Sequence, residues 1–222
     1  EPEHLRLVME LVEGSGLDEY IVARRALPEA EAASTFVQIA EGLNYLHSKG
    51  IIHRDLKPDN VLVDKQKLTE EGWPFIKLTD FGHSKIVGDW YDQSPVNAGT
   101  PLYMAPEVLN FNNITEAYHC SVDIWSLGVV LYLMLVGSVP FSGSGAHLER
   151  EIQQGTFSFW SDDARPPPSK EAQALVRALL RVDPKKRVPL DWCLAHPFVV
   201  TGGGMVRQLL RVASKPEPDP VE

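Results

Sequence analysis

Three features of the sequence predict a mainly α-helical fold with a few short β-strands. Strand-like apolar segments are short and lie before Asp80, and from Leu102 onward the apolar residues recur at helical spacing. Hydrophobic residues make up 44% of 222 positions, enough for one large domain with a sizeable core. In chain order, Leu5 to Val12 reads as a strand and Glu13-Gly14-Ser15-Gly16 as a turn, with a short helix from Leu17 to Arg24. Pro28 suits the first turn of the next helix. Ala33, Phe36, Val37, Ala40, Leu43 and Leu46 keep helical spacing until Gly50 supplies a stop. After Ile51-Ile52 comes a polar loop, then a strand Val61-Leu62-Val63, a charged hairpin around Glu70-Glu71-Gly72, and a strand Phe75 to Thr79.

The later helices are expected at Ala105 to Leu109, Ser121 to Val136, Ala146 to Gln154, Ser169 to Arg181 and Leu190 to Ala195. Pro166-Pro167-Pro168 and Asp183-Pro184 interrupt them. The Pro- and acid-rich stretch Lys215 to Glu222 cannot bury a core and is expected to be a flexible tail. The expected organisation is therefore residues 1–200 as the folded unit and 201–222 as a C-terminal extension.

Composition excludes several functions. With 30 Asp and Glu against 21 Lys and Arg the formal charge is −9, which lacks the basic surplus that duplex binding needs, so nucleic acid is not expected as a direct ligand. Cys120 and Cys193 alone make neither a disulfide framework nor a zinc site, and reduced core thiols in a cytosolic or nuclear protein are the expectation. The apolar start is broken by Arg6 and Glu10 and there is no initiator Met, so no signal peptide is visible and the chain is expected to begin inside a longer protein. The uncharged stretch Ile124 to Phe141 has too short an apolar run for a bilayer and is interrupted by Pro140 and two glycines. A helix buried on all sides fits it better, and no membrane association is expected.

Chemistry concentrates in one loop, His53-Arg54-Asp55-Leu56-Lys57-Pro58-Asp59-Asn60, and in Asp80-Phe81-Gly82, which closes a strand 25 residues after Asp55. These segments resemble the catalytic loop and metal-binding segment of eukaryotic protein kinases. Ala105-Pro106-Glu107 and Asp123-x-Trp125-Ser126-x-Gly128 follow in the family's order. The resemblance implies the large, C-terminal lobe of that fold, with ATP and Mg²⁺ as cofactors and protein serine or threonine hydroxyls as acceptors. Lys57 with Gly99-Thr100 is similar to the serine/threonine branch. Asp80 to Ile86, Gly99 to Glu107 and Asp183-Pro184-x-x-Arg187 look like the calmodulin-dependent kinase group. Within it the nearest resemblance is to checkpoint effector kinases that carry a forkhead-associated domain, which implies checkpoint or stress signalling in the nucleus or cytoplasm.

The chemistry accounts for the residue types. Phosphoryl transfer leaves the protein mainly alignment of the hydroxyl and neutralisation of phosphate charge. By the resemblance, Asp55 orients the substrate hydroxyl, Lys57 sets an ammonium near the transferring phosphate, and Thr100 hydrogen-bonds near both. Asn60 and Asp80 offer the oxygen ligands Mg²⁺ prefers. The resemblance also implies that Glu10 to Val12 is the hinge facing adenine, with Met9 guarding the inner pocket and Leu62 as its floor. Gly16 replaces a glutamate usual in the group, which leaves Asp59 as one acidic contact. His53, Phe81, Gly82 and Asp123 are expected to serve structure, and the resemblance implies that Glu107 forms a buried ion pair with Arg187. Arg54 suggests control by phosphorylation, with Ser94 as the nearest acceptor because Val96 occupies the usual threonine place.

The front of the family pattern is missing: no Gly-x-Gly-x-x-Gly loop occurs and no lysine precedes Lys49. A small lobe is thus an expected partner, and this chain alone is expected to transfer phosphate poorly. Two other function classes stay open, a non-catalytic docking module derived from a kinase and a kinase-fold enzyme acting on small molecules.

Overall fold

The computed structural model describes residue 6 and residues 8–86, 100–109, 120–159 and 166–201. β1 (Gly14–Gly16) leads into α1 (Leu17–Arg24) and the long α2 (Glu29–Ser48). β2 (Ile51–Ile52), a 3-10 turn at Pro58–Asn60, β3 (Val61–Leu68), β4 (Pro74–Leu78) and β5 (Lys85–Ile86) follow. The rest is helical: α3 (Pro106–Leu109), α4 (Ser121–Val136), α5 (Ala146–Gln154), α6 (Lys170–Leu179) and α7 (Leu190–Leu194). Residues 202–222, which include the expected tail, lie outside the described residues.

Two small antiparallel sheets sit on this helical body. One has the order β1-β3-β4 and the other pairs β2 with β5. The expected turn at Gly14-Ser15-Gly16 is a strand, paired Gly14 to Asp64 and Gly16 to Leu62. Glycine is needed for this contact because a Cβ on Gly14 would stand 1.7 Å from the Val63 carbonyl oxygen. The expected strand at Leu5 to Val12 does not form over residues 8–12. Among the described residues no neighbouring strand offers them a ladder, and Val8 and Leu11 stay 93% and 86% exposed.

α4 is the axis of the core. Its helical run is apolar on every face, so Val122, Ile124, Trp125, Leu127, Val129, Val130, Leu131, Tyr132, Met134 and Leu135 are all buried. Gly137, at φ 83, ends it, with its N–H bonded to the Leu133 carbonyl 2.8 Å away. Gly128 lets α6 approach, since a Cβ there would lie 2.7 Å from that of Leu179. α2 presents Phe36, Val37, Ala40 and Leu43 to the same core. Its buried Gln38 reaches the strand layer, donating to the Pro74 carbonyl at 3.1 Å and accepting from the Ile76 N–H at 2.9 Å. Among the described residues no helix is long and apolar enough to cross a membrane.

Both thiols are free. Burial pushes the Cys193 thiol up to about 12 and raises that of the half-buried Cys120 as well. Treatment of the native protein with Ellman's reagent at pH 8 is therefore expected to leave Cys193 unmodified until urea unfolds the chain. Rapid stoichiometric labelling of Cys193 in the native state would contradict this burial.

Candidate active site

The loop from His53 to Asn60 leaves β2, runs past Lys57 and enters β3 through the Pro58–Asn60 turn. A fully buried carboxylate, that of Asp123 at the start of α4, holds its first residues. Asp123 Oδ2 accepts the His53 N–H at 2.9 Å, and Oδ1 accepts the Arg54 N–H at 2.8 Å. Arg54 stands at φ 68, a left-handed conformation uncommon for a non-glycine residue, and this bond helps to hold it. The His53 ring is buried, with Nε2 3.1 Å from the Thr79 carbonyl, which makes Nε2–H the donor. Its Nδ1 then accepts the Asp55 N–H at 3.4 Å. One imidazole thus ties this loop to the end of β4.

Asp55 is buried and held from two sides. Lys57 Nζ donates to Oδ2 at 2.9 Å, and Asn60 Nδ2 donates to the same oxygen at 3.0 Å and to the Asp55 carbonyl at 2.8 Å. Neither of these bonds uses Oδ1, so the carboxylate keeps an acceptor oxygen in a fixed orientation. Asn60, with its amide nitrogen committed to Asp55, keeps its own Oδ1 for another partner. The Thr79 N–H bonds the Asn60 carbonyl at 3.0 Å, so the hairpin closes with Asn60 at its entrance and Asp80 one residue past that bond. Asp80 is exposed and left-handed at φ 60, and its Oδ1 accepts the Gly82 N–H at 3.2 Å. Phe81 is half-exposed, its ring 5.3 Å from that of His53. It also lines an apolar cavity of about 340 Å³ with Leu46, Ile51, Ser84, Lys85 and Ile86.

The donor chemistry of Asn60 and Asp80 suits Mg²⁺. Among the described residues no cluster of three His, Cys, Asp or Glu side chains could cage a metal. A hard cation that keeps its waters and phosphate oxygens asks the protein for one or two oxygen ligands, which this pair supplies.

The residues expected to form the hinge precede β1. Met9 is exposed, Val12 half-buried, and Leu62, opposite Gly16 in the ladder, half-buried. Glu10 pairs with Lys77 of β4 at 2.5 Å, and the ammonium holds its carboxyl below the usual range. Glu13 bonds the Gln66 side chain and accepts the Lys65 N–H through its carbonyl. The space over Gly16 is taken by Asp18, whose Oδ1 lies 2.2 Å from where a Gly16 Cβ would stand. Asp59 is exposed. Burial, then the charges of Asp59 and Asp18, push the nearby Tyr103 hydroxyl up to about 12.

Below the site, Arg187 and Glu107 form a buried bidentate pair at 2.7 and 3.0 Å. Arg187 also donates to the carbonyls of Ser121 at 2.6 Å and Arg181 at 3.0 Å, and its guanidinium stands 5.3 Å above the Trp125 ring. The loop after the Pro101–Tyr103 turn is fastened to α4 by Ser126 Oγ, which donates to the Tyr103 carbonyl at 2.8 Å. Among the described residues no hydrogen bond joins the Thr100 hydroxyl to Asp55 or Lys57. Lys57 reaches Asp55 directly instead. Ser94, Val96 and Gly99 lie outside the described residues.

Two residues near the loop carried no sequence signal of their own. Asp18 occupies the space that a side chain at Gly16 would take, but nothing in a helix start distinguishes it from an ordinary first-turn acid. His47, in the last turn of α2, has Nε2 2.8 Å from Asp123 Oδ2, a partner 76 residues away.

Helical body, hairpin-borne loop and ordered motifs define a protein kinase domain, and the model of that family matches residues 1–199. The chain belongs to the protein kinase family. It is 40% identical over 195 residues, 87% of its length, to a probable serine/threonine-protein kinase, fhkE, of Dictyostelium discoideum, covering 27% of that protein. A probable myosin light chain kinase of the same organism is 40% identical over 89% of the chain and 62% of its own length. The calcium/calmodulin-dependent protein kinase type II of Caenorhabditis briggsae is 40% identical over 87% of the chain and 34% of its own length. The chain thus spans between about a quarter and two thirds of the curated relatives it matches.

Proposed function

We propose that this chain carries the acceptor-side and metal-side half of a serine/threonine protein kinase site, which transfers the γ-phosphoryl group of ATP to protein hydroxyls. The observation that carries the reading is the Asp55 carboxylate, fixed through Oδ2 by Lys57 and Asn60 with Oδ1 left to accept a hydroxyl proton. In the proposed step the acceptor oxygen forms a bond to the γ-phosphorus as the bond to the β,γ-bridging oxygen breaks. Asp55 orients the hydroxyl and accepts its proton, and Lys57 lies beside the charge that develops. Asn60 and Asp80 would hold Mg²⁺, which when bound neutralises phosphate charge. A small lobe, supplying the phosphate-covering loop and lysine that these residues lack, completes the site. The finer assignment is to the calmodulin-dependent group and to checkpoint or stress signalling in nucleus or cytoplasm, supported by the phrases Asp80 to Ile86 and Gly99 to Glu107. Control through a phosphate paired with Arg54, with Ser94 as acceptor, belongs to the same proposal.

The test is transfer of label from γ-labelled ATP with Mg²⁺ to a serine peptide, by residues 1–222 alone and joined to a kinase small lobe. The isolated chain is expected to show little turnover and the joined protein clear turnover, lost in Asp80→Asn. Transfer to an aminoglycoside but not to peptide would overturn the protein-kinase reading, and robust transfer by the isolated chain would overturn the need for a small lobe.

A further inference from the structure

Trp125 on α4 is fully buried, whereas Trp192 on α7 is 44% exposed. Its indole lies 5.0 Å from the ring of His196, and that imidazole is fixed in turn, with Nδ1 accepting the Phe198 N–H at 3.3 Å. His196 is buried, and its carbonyl accepts the Val200 N–H at 3.0 Å, so Val200, 56% exposed, stands one turn further along the chain. Two large apolar side chains are thus left in water next to one fixed, buried ring, just before the described residues end. Acidic groups border them. Asp191, next to Trp192 in the chain, is exposed, and Glu171, in the first turn of α6, acts on His196 through its charge.

The sequence that follows has the complementary pattern. Gly202-Gly203-Gly204 lets the chain reverse, because glycine adopts either sign of φ. From Met205 to Ala213 the apolar residues fall at positions 205, 206, 209, 210, 212 and 213, one stripe at 3.6 residues per turn, with Arg207, Gln208 and Arg211 on the other side. Residues 202–216 carry Arg207, Arg211 and Lys215 and no acid. From this match we propose that Met205 to Ala213 folds back onto α7 as an amphipathic helix, its apolar stripe covering Trp192 and Val200 and its positive charge set against Asp191 and Glu171. Two physical arguments favour this segment over a separate molecule. It begins just past Val200, so a short glycine tether holds it at the patch at roughly millimolar effective concentration. A patch of two side chains is also far smaller than the about 1,200–2,000 Å² that stable interfaces between proteins bury. A helix this short is marginal alone in water, and the burial gained on docking is largely offset by the cost of ordering the chain. Docking therefore gives modest protection that depends on Trp192.

The experiment follows amide hydrogen exchange and the indole N–H signals by NMR in the 222-residue chain, comparing wild type, Trp192→Ser and the double variant Leu209→Asp/Leu210→Asp. The amides of residues 209–213, past the first turn of the proposed helix, are the reporters, and Leu131 in the core of α4 reports global opening. In the wild type these amides are expected to exchange about tenfold more slowly than in an unstructured chain, independently of protein concentration. Nuclear Overhauser contacts should join the Trp192 indole to the methyls of Leu209 and Leu210. In W192S exchange should return to within about threefold of the unstructured rate while Leu131 keeps its protection. In L209D/L210D the Trp192 indole signal should shift and lose its contacts. Free exchange in the wild type, protection that survives W192S, or protection that grows with concentration would overturn the proposal, the last by showing contact between copies. If W192S does not fold, the double variant decides, since both of its changes lie outside the described residues. A shifted Trp192 signal then supports docking, and an unchanged one overturns it.

Discussion

Replacing Arg187 with methionine is expected to destabilise the protein by about 3–5 kcal/mol, read as a lowered urea midpoint with an unchanged slope. The guanidinium and the Glu107 carboxylate are both buried, so deleting the cation strands an anion where water cannot reach it. Arg187 also satisfies the carbonyls of Ser121 and Arg181, which lose their donor in the same step. The double variant Glu107→Leu/Arg187→Met should recover part of the loss, because it removes the stranded charge but leaves the carbonyls unpaired. This separates the pair's worth from the penalty of breaking it. The pair ties α3, ahead of α4, to the turn that precedes α7, segments far apart in sequence. Loss below about 1 kcal/mol in the single variant would mean that Glu107 reaches water once Arg187 is gone.

Long-range joints of this kind mark the boundary of what could be read from the sequence. α4 and α5 are found at their expected bounds because each ends at a glycine, Gly137 and Gly155, in the left-handed conformation that terminates helices. α1 also keeps its expected bounds, and α2 starts just after Pro28 as its fixed φ favours. The strands were harder. A two-residue ladder such as Ile51–Ile52 with Lys85–Ile86 has no period to detect, and Gly14-Ser15-Gly16 has the composition of a turn although its lack of side chains is what admits the β3 backbone. The site divides the same way. Asp55, Asn60 and Asp80 stood out because their order and spacing are local to one hairpin. His47 did not, since a histidine in the last turn of an amphipathic helix is an ordinary helix-end residue, and only the fold brings Asp123 to it.

Asp55→Asn should cut phosphoryl transfer by about 10²–10⁴-fold in the chain joined to a small lobe, with KM for ATP little changed. The substitution keeps the shape of the side chain but not its polarity. Lys57 Nζ and Asn60 Nδ2 are both donors aimed at one oxygen, so the new amide is forced to present its carbonyl oxygen to them. Its NH₂ group then occupies the position of the present Oδ1 and offers a hydrogen where the acceptor hydroxyl needs a lone pair. The variant is thus inverted at the one atom that matters, while its contacts to the rest of the loop persist. Stability should accordingly change by less than about 1 kcal/mol, since the buried carboxylate is exchanged for a neutral group that keeps its hydrogen bonds. A role for Asp55 in holding the loop alone predicts the opposite division, with a lowered unfolding midpoint and a rate that falls only as far as the folded fraction does. Thermal melts and single-turnover transfer measured on the same preparation distinguish the two.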